Sequence, residues 1–266
     1  MDLELAGKRA VVTGAGRGIG LAVARGLAAE GARLALVGRG EPALRSAADL
    51  IDSAHGTGAL AVPADTTDDA SVRSMIEQVV AQLGGVDILV NCAARPASAG
   101  PAAGLAELTD DAMRLEYETK VLGYLRCARA AAPHMIAQGW GRIVNISGLN
   151  ARRAGSIAGS VRNVAVAALT KNLADELGPA GIGVTVVHPG TTVTERTPTM
   201  VAELAARDGG TAEQVLAALG SATCVGRLIT AAEVADVVVF LCSPRSVAIN
   251  GDAVAAGGGM RGSIHY

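Results

Sequence analysis

The 266-residue chain is half hydrophobic, only 2% aromatic and nearly neutral, with a net charge of −2. That length serves one large domain with a well-buried core, and charges scattered without a basic run exclude a polyanion-binding surface, so no nucleic-acid partner is expected. Cys92, Cys127, Cys224 and Cys242 lack metal-ligand spacing, no apolar run reaches the ~18 residues of a membrane span, and the N-terminus shows no secretory pattern; the expectation is a cytoplasmic protein with free thiols, no metal and no membrane partner.

In chain order, short apolar runs at 9–13 (RAVVT), 33–37 (RLALV), 59–62 (ALAV), 86–91 (VDILVN), 142–146 (RIVNI) and 183–188 (GVTVVH) each predict a strand buried on both faces. Helix-length stretches separate them at 18–30, 42–54, 68–83, 110–138 and 160–177, and a helix near 231–242 precedes a last strand near 252–255. This alternation predicts an α/β fold, a doubly wound parallel sheet in a single domain over 1–266. Segments 92–108 and 189–228 break the rhythm. Loops at the carboxyl ends of such strands form the ligand crevice, and 189–228 is the expected lid over a small-molecule substrate.

The turn Thr13-Gly-Ala-Gly-Arg-Gly-Ile-Gly20 closes the first strand and opens the first helix. Glycines there let the backbone approach a pyrophosphate, and the helix start offers unpaired N–H groups with partial positive charge. Gly14, Arg17, Gly18, Ile19 and Gly20 are therefore expected around a dinucleotide. The second strand ends Leu36-Val-Gly-Arg39, with no acid for a ribose 2′-hydroxyl; Arg39, helped by Arg17, suits a 2′-phosphate and favours NADP(H) over NAD. Solvated surface positions are the alternative for both arginines.

With the spacing T-G-x-x-x-G-I-G the sequence resembles the short-chain dehydrogenase/reductase family over nearly its whole length, which implies a Rossmann-like fold. Asp65 and Thr66, in PADTT, match the family's adenine contact, and Asn91-Cys-Ala-Ala94, including Ala93, keeps part of its N-N-A-G motif. Gly141-Arg-Ile-Val-Asn-Ile-Ser147, including Ile146, matches its fifth strand, and Pro189-Gly190 with Thr194 matches the segment that holds the nicotinamide carboxamide. The resemblance also implies a homodimer or homotetramer joined through the fourth and fifth helices.

The resemblance breaks where the chemistry should be. The family protonates a carbonyl with a tyrosine beside a lysine, in Y-x-x-x-K, helped by a serine and an asparagine. Aligned on LTKNLADELG, Gly159 takes the tyrosine's place and Asn163 the lysine's; Ser147 stands beside the serine position at Gly148. On the preceding helix the family's N-x-x-G reads Lys120-Val-Leu-Gly123. Glycine donates no proton and asparagine carries no charge to lower a phenol's pKa, yet Asn and Lys have exchanged places. Lys120, Ser147 and Asn163 are the resulting catalytic candidates, with Tyr117, three residues before Lys120 on the same helical face, as a replacement phenol. His188, Arg152, Arg153 and Arg162 stand near the crevice as further polar candidates, each with a structural alternative. The expectation is an NADP(H)-dependent oxidoreductase of a small carbonyl or alcohol substrate with a rearranged site. A non-redox lyase or isomerase on the same fold, or an inactive cofactor-binding regulatory subunit, remain the alternatives.

Overall fold

Val11 and Val12 alternate between the two faces of β1 (Arg9–Thr13) and both are fully buried, so helices must cover the sheet on both sides. The computed structural model describes residues 1–94 and 102–262. After β1 come α1 (Gly18–Ala29), β2 (Arg33–Gly38), α2 (Glu41–His55), β3 (Leu60–Pro63), α3 (Asp69–Leu83) and β4 (Ile88–Asn91). The expected irregular segment 92–108 lies partly outside the described residues. The second half runs through α4 (Asp110–Glu116), α5 (Gly123–Gln138), β5 (Gly141–Ile146), α6 (Ile157–Leu177) and β6 (Ile182–Pro189). It continues with β7 (Thr192–Val193), α7 (Thr197–Asp208), α8 (Ala212–Ser221), β8 (Ile229–Thr230), α9 (Ala231–Cys242) and β9 (Ala253–Ala256).

Seven strands form one parallel sheet in the order β3-β2-β1-β4-β5-β6-β9, while β7 and β8 make a separate short ribbon. The sheet grows outward from β1 through β2 and β3, then returns to the other side of β1 with β4. Loops leaving β1 and β4 therefore diverge, and a crevice opens above their carboxyl ends. This is the single-domain, doubly wound architecture that the alternation predicts.

Two apolar layers hold it. Val12, Leu34, Leu36, Val144 and Val187 face Leu27, Leu44 and Val238 of α1, α2 and α9. Val11, Val37, Leu89, Ile143 and Val184 face Val79, Ala131 and Leu177 of α3, α5 and α6. Each such valine, leucine or isoleucine contributes about 1.5–3 kcal/mol when fully buried. Helix starts are fixed locally: the Asp68 carboxylate accepts the Ala70 N–H before α3, and Thr230 and Glu233 cap each other's backbone at α9. Among the described residues no helix is long and apolar enough to cross a membrane, and Cys92, Cys127, Cys224 and Cys242 are free thiols.

Two expectations change. The stretch 110–138, expected as one helix, is α4, then a π-helical turn over Tyr117–Leu122, then α5. The Thr119 hydroxyl donates to the Leu115 carbonyl at 3.0 Å, competing for the acceptor that a regular α-turn gives to a backbone N–H. The segment 189–228, in which the sequence reading placed no helix, contains α7 and α8.

Candidate active site

The glycine turn is shaped by close approaches that a side chain would block. Gly14 has φ +69°, and a Cβ there would stand 3.0 Å from the Ala93 nitrogen; a Cβ on Gly20 would stand 2.4 Å from the Gly14 carbonyl oxygen. The Thr13 hydroxyl accepts the N–H groups of Cys92 and Ala93 at 3.0 and 3.1 Å, fastening the turn to the loop after β4. Arg17, the N-cap of α1, provides no capping side chain. Instead the Glu195 carboxylate, arriving from the segment before α7, accepts the Gly18 N–H at 3.2 Å. The helix start thus already holds an anionic oxygen, and a pyrophosphate would use the same donor chemistry.

Above the turn lies a cleft of about 1340 Å³. Gly14, Arg17, Gly18, Ile19, Gly20, Arg39, Asp65 and Thr66 line it on the side of the turn and β2. The side chains of Arg17 and Arg39 donate no hydrogen bond and join no ion pair among the described residues. Asp65 accepts the N–H and hydroxyl of Thr67 at 3.0 and 2.8 Å. The Thr67 backbone N–H, followed by its hydroxyl and by Arg39, holds this carboxyl below the usual range.

The far end is lined by Ala93, Lys120, Ile146, Ser147, Asn163, Pro189, Gly190 and Thr194. Asn91, expected here, lies beneath the cleft instead. Its side chain is fully buried and donates to Asn145 Oδ1 at 2.9 Å, and Asn145 donates to Thr170 at 3.0 Å, tying β4, β5 and α6 together. The reason is the pleat: at the strand end the Asn91 side chain points into the interior, and the Cys92–Ala94 backbone forms the cleft wall.

Lys120, on the π-helical turn, is 5% exposed and reaches across to β5 and α6. Its Nζ donates to the Ser147 carbonyl at 2.8 Å and to Asn163 Oδ1 at 3.3 Å. An ammonium has three donors, so one position on the nitrogen is left over. Burial, reinforced by Arg162, brings its pKa down to about 7. The Ser147 hydroxyl donates to the Asn163 carbonyl at 3.0 Å, pinning the end of β5 to α6. Gly123 lets this helix approach the loop after β3, since a Cβ would come within 3.1 Å of the Thr66 hydroxyl. Lys120, Ser147 and Asn163, read separately from the sequence, are thus in mutual contact.

Tyr117 is not. It lines a shallow surface pocket with Asp110, Met113 and Arg114, away from the cleft. The expectation that it shares a face with Lys120 assumed α-helical pitch, and the wider π-turn rotates residues three apart away from each other. Tyr124 is a core residue whose hydroxyl donates to the Ile146 carbonyl at 2.9 Å. His188 is buried, pushed down to about 4 by burial and then by Arg152 and Lys120, and its Nδ1 has no partner among the described residues. Arg152 donates to the Ala253 carbonyl at 3.0 Å, whereas Arg153 and Arg162 line the cleft. Arg162 pairs with Glu116. At Gly159 a Cβ would meet the Ser156 hydroxyl at 2.7 Å and Asn150 Nδ2 at 3.0 Å. The sequence reading missed Glu195, Asn145 and Thr170. Glu195 follows a recognised Thr194 but belongs to no local motif, and the other two act through partners more than twenty residues away.

A seven-stranded parallel doubly wound sheet with a glycine turn at its switch point defines a dinucleotide-binding class of fold. The chain belongs to the short-chain dehydrogenase/reductase family: residues 14–261 match the family model described as enoyl-(acyl carrier protein) reductase. It is 37% identical over 251 residues to the short-chain reductase protein NovJ of Streptomyces niveus, covering 94% of this chain and 92% of that one. It is 31% identical to a 3-oxoacyl-[acyl-carrier-protein] reductase of Aquifex aeolicus, covering 98% of this chain and all of the relative. Among solved structures, L-sorbose reductase of Gluconobacter frateurii, complexed with NADPH and L-sorbose, superposes with a TM-score of 0.91 at 32% identity over 99% of this chain and 100% of that chain. A single-residue variant of actinorhodin polyketide ketoreductase with NADPH gives 0.88 at 31% identity over 96% and 98%.

Proposed function

We propose that the protein is an NADP(H)-dependent oxidoreductase of a small carbonyl or alcohol substrate, in which Lys120 replaces the family's tyrosine as the proton-handling group. One observation carries this reading: a buried amine lines the cleft, held on Ser147 and Asn163 with one position of its nitrogen left over. Gly159 and Asn163 stand where the family keeps its tyrosine and lysine, and neither supplies an acid.

The relatives named as reductases, and the structural neighbours solved with NADPH, support the cofactor and the reaction type. Gly14, Gly18, Ile19 and Gly20 would hold the pyrophosphate, and Arg17 and Arg39, in no ion pair among the described residues, the 2′-phosphate. Asp65 and Thr66 would border the adenine side, and Ala93, Ile146, Pro189, Gly190 and Thr194 the nicotinamide, which supplies or accepts the hydride when bound, with Asn91 supporting that wall from beneath. Lys120 gives its proton to the carbonyl oxygen in reduction and takes it back in oxidation; a pKa of about 7 balances both roles near neutrality. Asn163 and the Ser147 carbonyl orient the amine, and the Ser147 hydroxyl, committed to the Asn163 carbonyl, positions that asparagine. The segment 189–228, with α7 and α8, closes the substrate end as a lid. Leu122, Val161 and Val164, each at least 36% exposed on the π-turn and α6, support a homodimer or homotetramer.

The test is Lys120→Met, with NADPH consumption followed across a carbonyl panel. Turnover should fall about 10²–10⁴-fold, the usual contribution of a general acid, with NADPH affinity unchanged. In wild type, reduction needs the charged amine, so the rate should fall as pH rises through about 7, and the variant should lose that limb. Equal turnover in the two proteins would refute the lysine's role, and conversion without any nicotinamide absorbance change would refute the redox reading.

A further inference from the structure

The charges along the cleft are unevenly distributed. Six cations line it, Arg17, Arg39, Lys120, Arg153, Arg162 and Arg196, against two carboxylates, Asp65 and Glu195. Both acids belong to the nucleotide end: Asp65 is held by Thr67, and Glu195 sits on the Gly18 N–H. Around Lys120, the described lining residues include Arg153 and Arg162 and no acid.

Many arginines elsewhere pair with carboxylates, as in Arg9–Asp87, Arg126–Glu118 and Arg227–Glu233, and others, Arg33, Arg142, Arg152 and Arg261, donate to backbone carbonyls. Of the cleft arginines only Arg162 has such a partner; Arg17, Arg39, Arg153 and Arg196 have none among the described residues. Arg17 and Arg39 are accounted for by a 2′-phosphate, and Arg196 lies next to Glu195 at the glycine turn. Arg153 is not accounted for. Its Nε donates to Asn150 Oδ1 at 3.0 Å, which fixes the plane of the guanidinium and leaves the two terminal nitrogens as a ready bidentate donor. Arg162, on the adjoining wall, is steadied by Glu116 through one nitrogen and has a buried Nε with no partner. Leu149, Met200, Leu204, Leu219, Leu228 and Met260 give the lining an apolar share, beside the neutral polar residues Thr119, Asn150, Thr191, Thr192 and Thr223.

We infer that the substrate is an anion: a carbonyl or alcohol compound with an apolar body and a carboxylate, the carboxylate anchored by Arg153 and favoured by the nearby charge of Arg162. This rests on the reading of the cleft as the reductase site and adds its substrate class. The carboxylate fixes which end of the molecule faces the mouth, so that the carbonyl is delivered toward Lys120. A neutral analogue would leave the terminal nitrogens of Arg153 without an anionic partner, which makes the charge a source of selectivity as well as affinity.

Calorimetric titration of hexanoate, octanoate and benzoate, each against its primary amide, tests this on the full-length protein with and without NADPH. The acids should bind about tenfold or more tightly than their amides, the worth of one charge-assisted hydrogen bond. Arg153→Gln should remove most of that preference while the amides bind as before. Equal binding of every acid and its amide, binding of neither, or an unchanged preference in Arg153→Gln would overturn the anion proposal. Failure to bind NADPH would instead count against the reductase reading, because the acid–amide comparison is read independently of the nucleotide.

Discussion

The two ends of the cleft are built in different ways. At the glycine turn the backbone shapes the cleft: Thr13 to Gly20 is one continuous stretch, and its geometry depends on the absence of side chains. Around Lys120 the site is assembled from side chains on the π-turn, the end of β5 and the start of α6, elements far apart in sequence. A backbone cradle fails when a Cβ is added and has no equivalent elsewhere. A side-chain site can be rebuilt from the opposite wall, provided that wall is close enough for the exchanged residues to meet. Lys120 and Asn163 do meet, at 3.3 Å.

The sharpest way to break the contrast is Gly20→Val. Its Cβ would lie 2.4 Å from the Gly14 carbonyl oxygen, with the backbone of Gly14 and Ala15 as the obstacle. Overpacking of this kind costs about 1–3 kcal/mol, so NADPH affinity, measured by nucleotide fluorescence, should weaken by up to about 100-fold. Wild-type affinity in this variant would mean that the turn does not carry the phosphate.

A smaller effect is expected from Arg39→Ser or Arg17→Ser. Each should reduce the preference for NADPH over NADH about tenfold, as the loss of one charge-assisted hydrogen bond implies, and the two together should abolish it. A preference that survives the double substitution would place the 2′-phosphate elsewhere.

The smallest change is expected from Gly159→Tyr, which restores the family's residue type without its surroundings. The Ser156 hydroxyl and Asn150 stand in the space a side chain would need, and Ser156 also caps α6 through the Gly159 N–H at 3.0 Å. The variant should lose about 1–3 kcal/mol of stability, seen as a fall in melting temperature, with no gain in turnover. A rise in turnover would show that the tyrosine's place is still functional and that the two walls of the site are interchangeable in both directions.

Much of the fold was legible in the sequence. β1, β2, β5 and β6 coincide closely with their apolar runs because a strand buried on both faces is a near-continuous run of apolar residues bounded by turns. The partial helix signal in 189–228 was hidden by its Pro, Gly and Thr content, although α8 opens with a complete capping box at Thr211 and Gln214. In the site, Lys120 was legible as a candidate only by comparison with a family pattern, since nothing local distinguishes it from a solvated lysine. Tyr117 shows the limit from the other side. Its three-residue spacing was read correctly, but the helix there has a different pitch.

By itself the sequence determined the alternation of strands and helices, the sheet they form and the glycine turn that opens its crevice, because periodicity and missing side chains act within a few residues. Only the tertiary structure decided which polar groups face the crevice and what protonation state they favour. Those outcomes depend on burial and on charges brought together across the fold: Lys120 is driven toward neutrality by apolar surroundings and by Arg162, forty-two residues further along the chain, and no window of the sequence contains both causes.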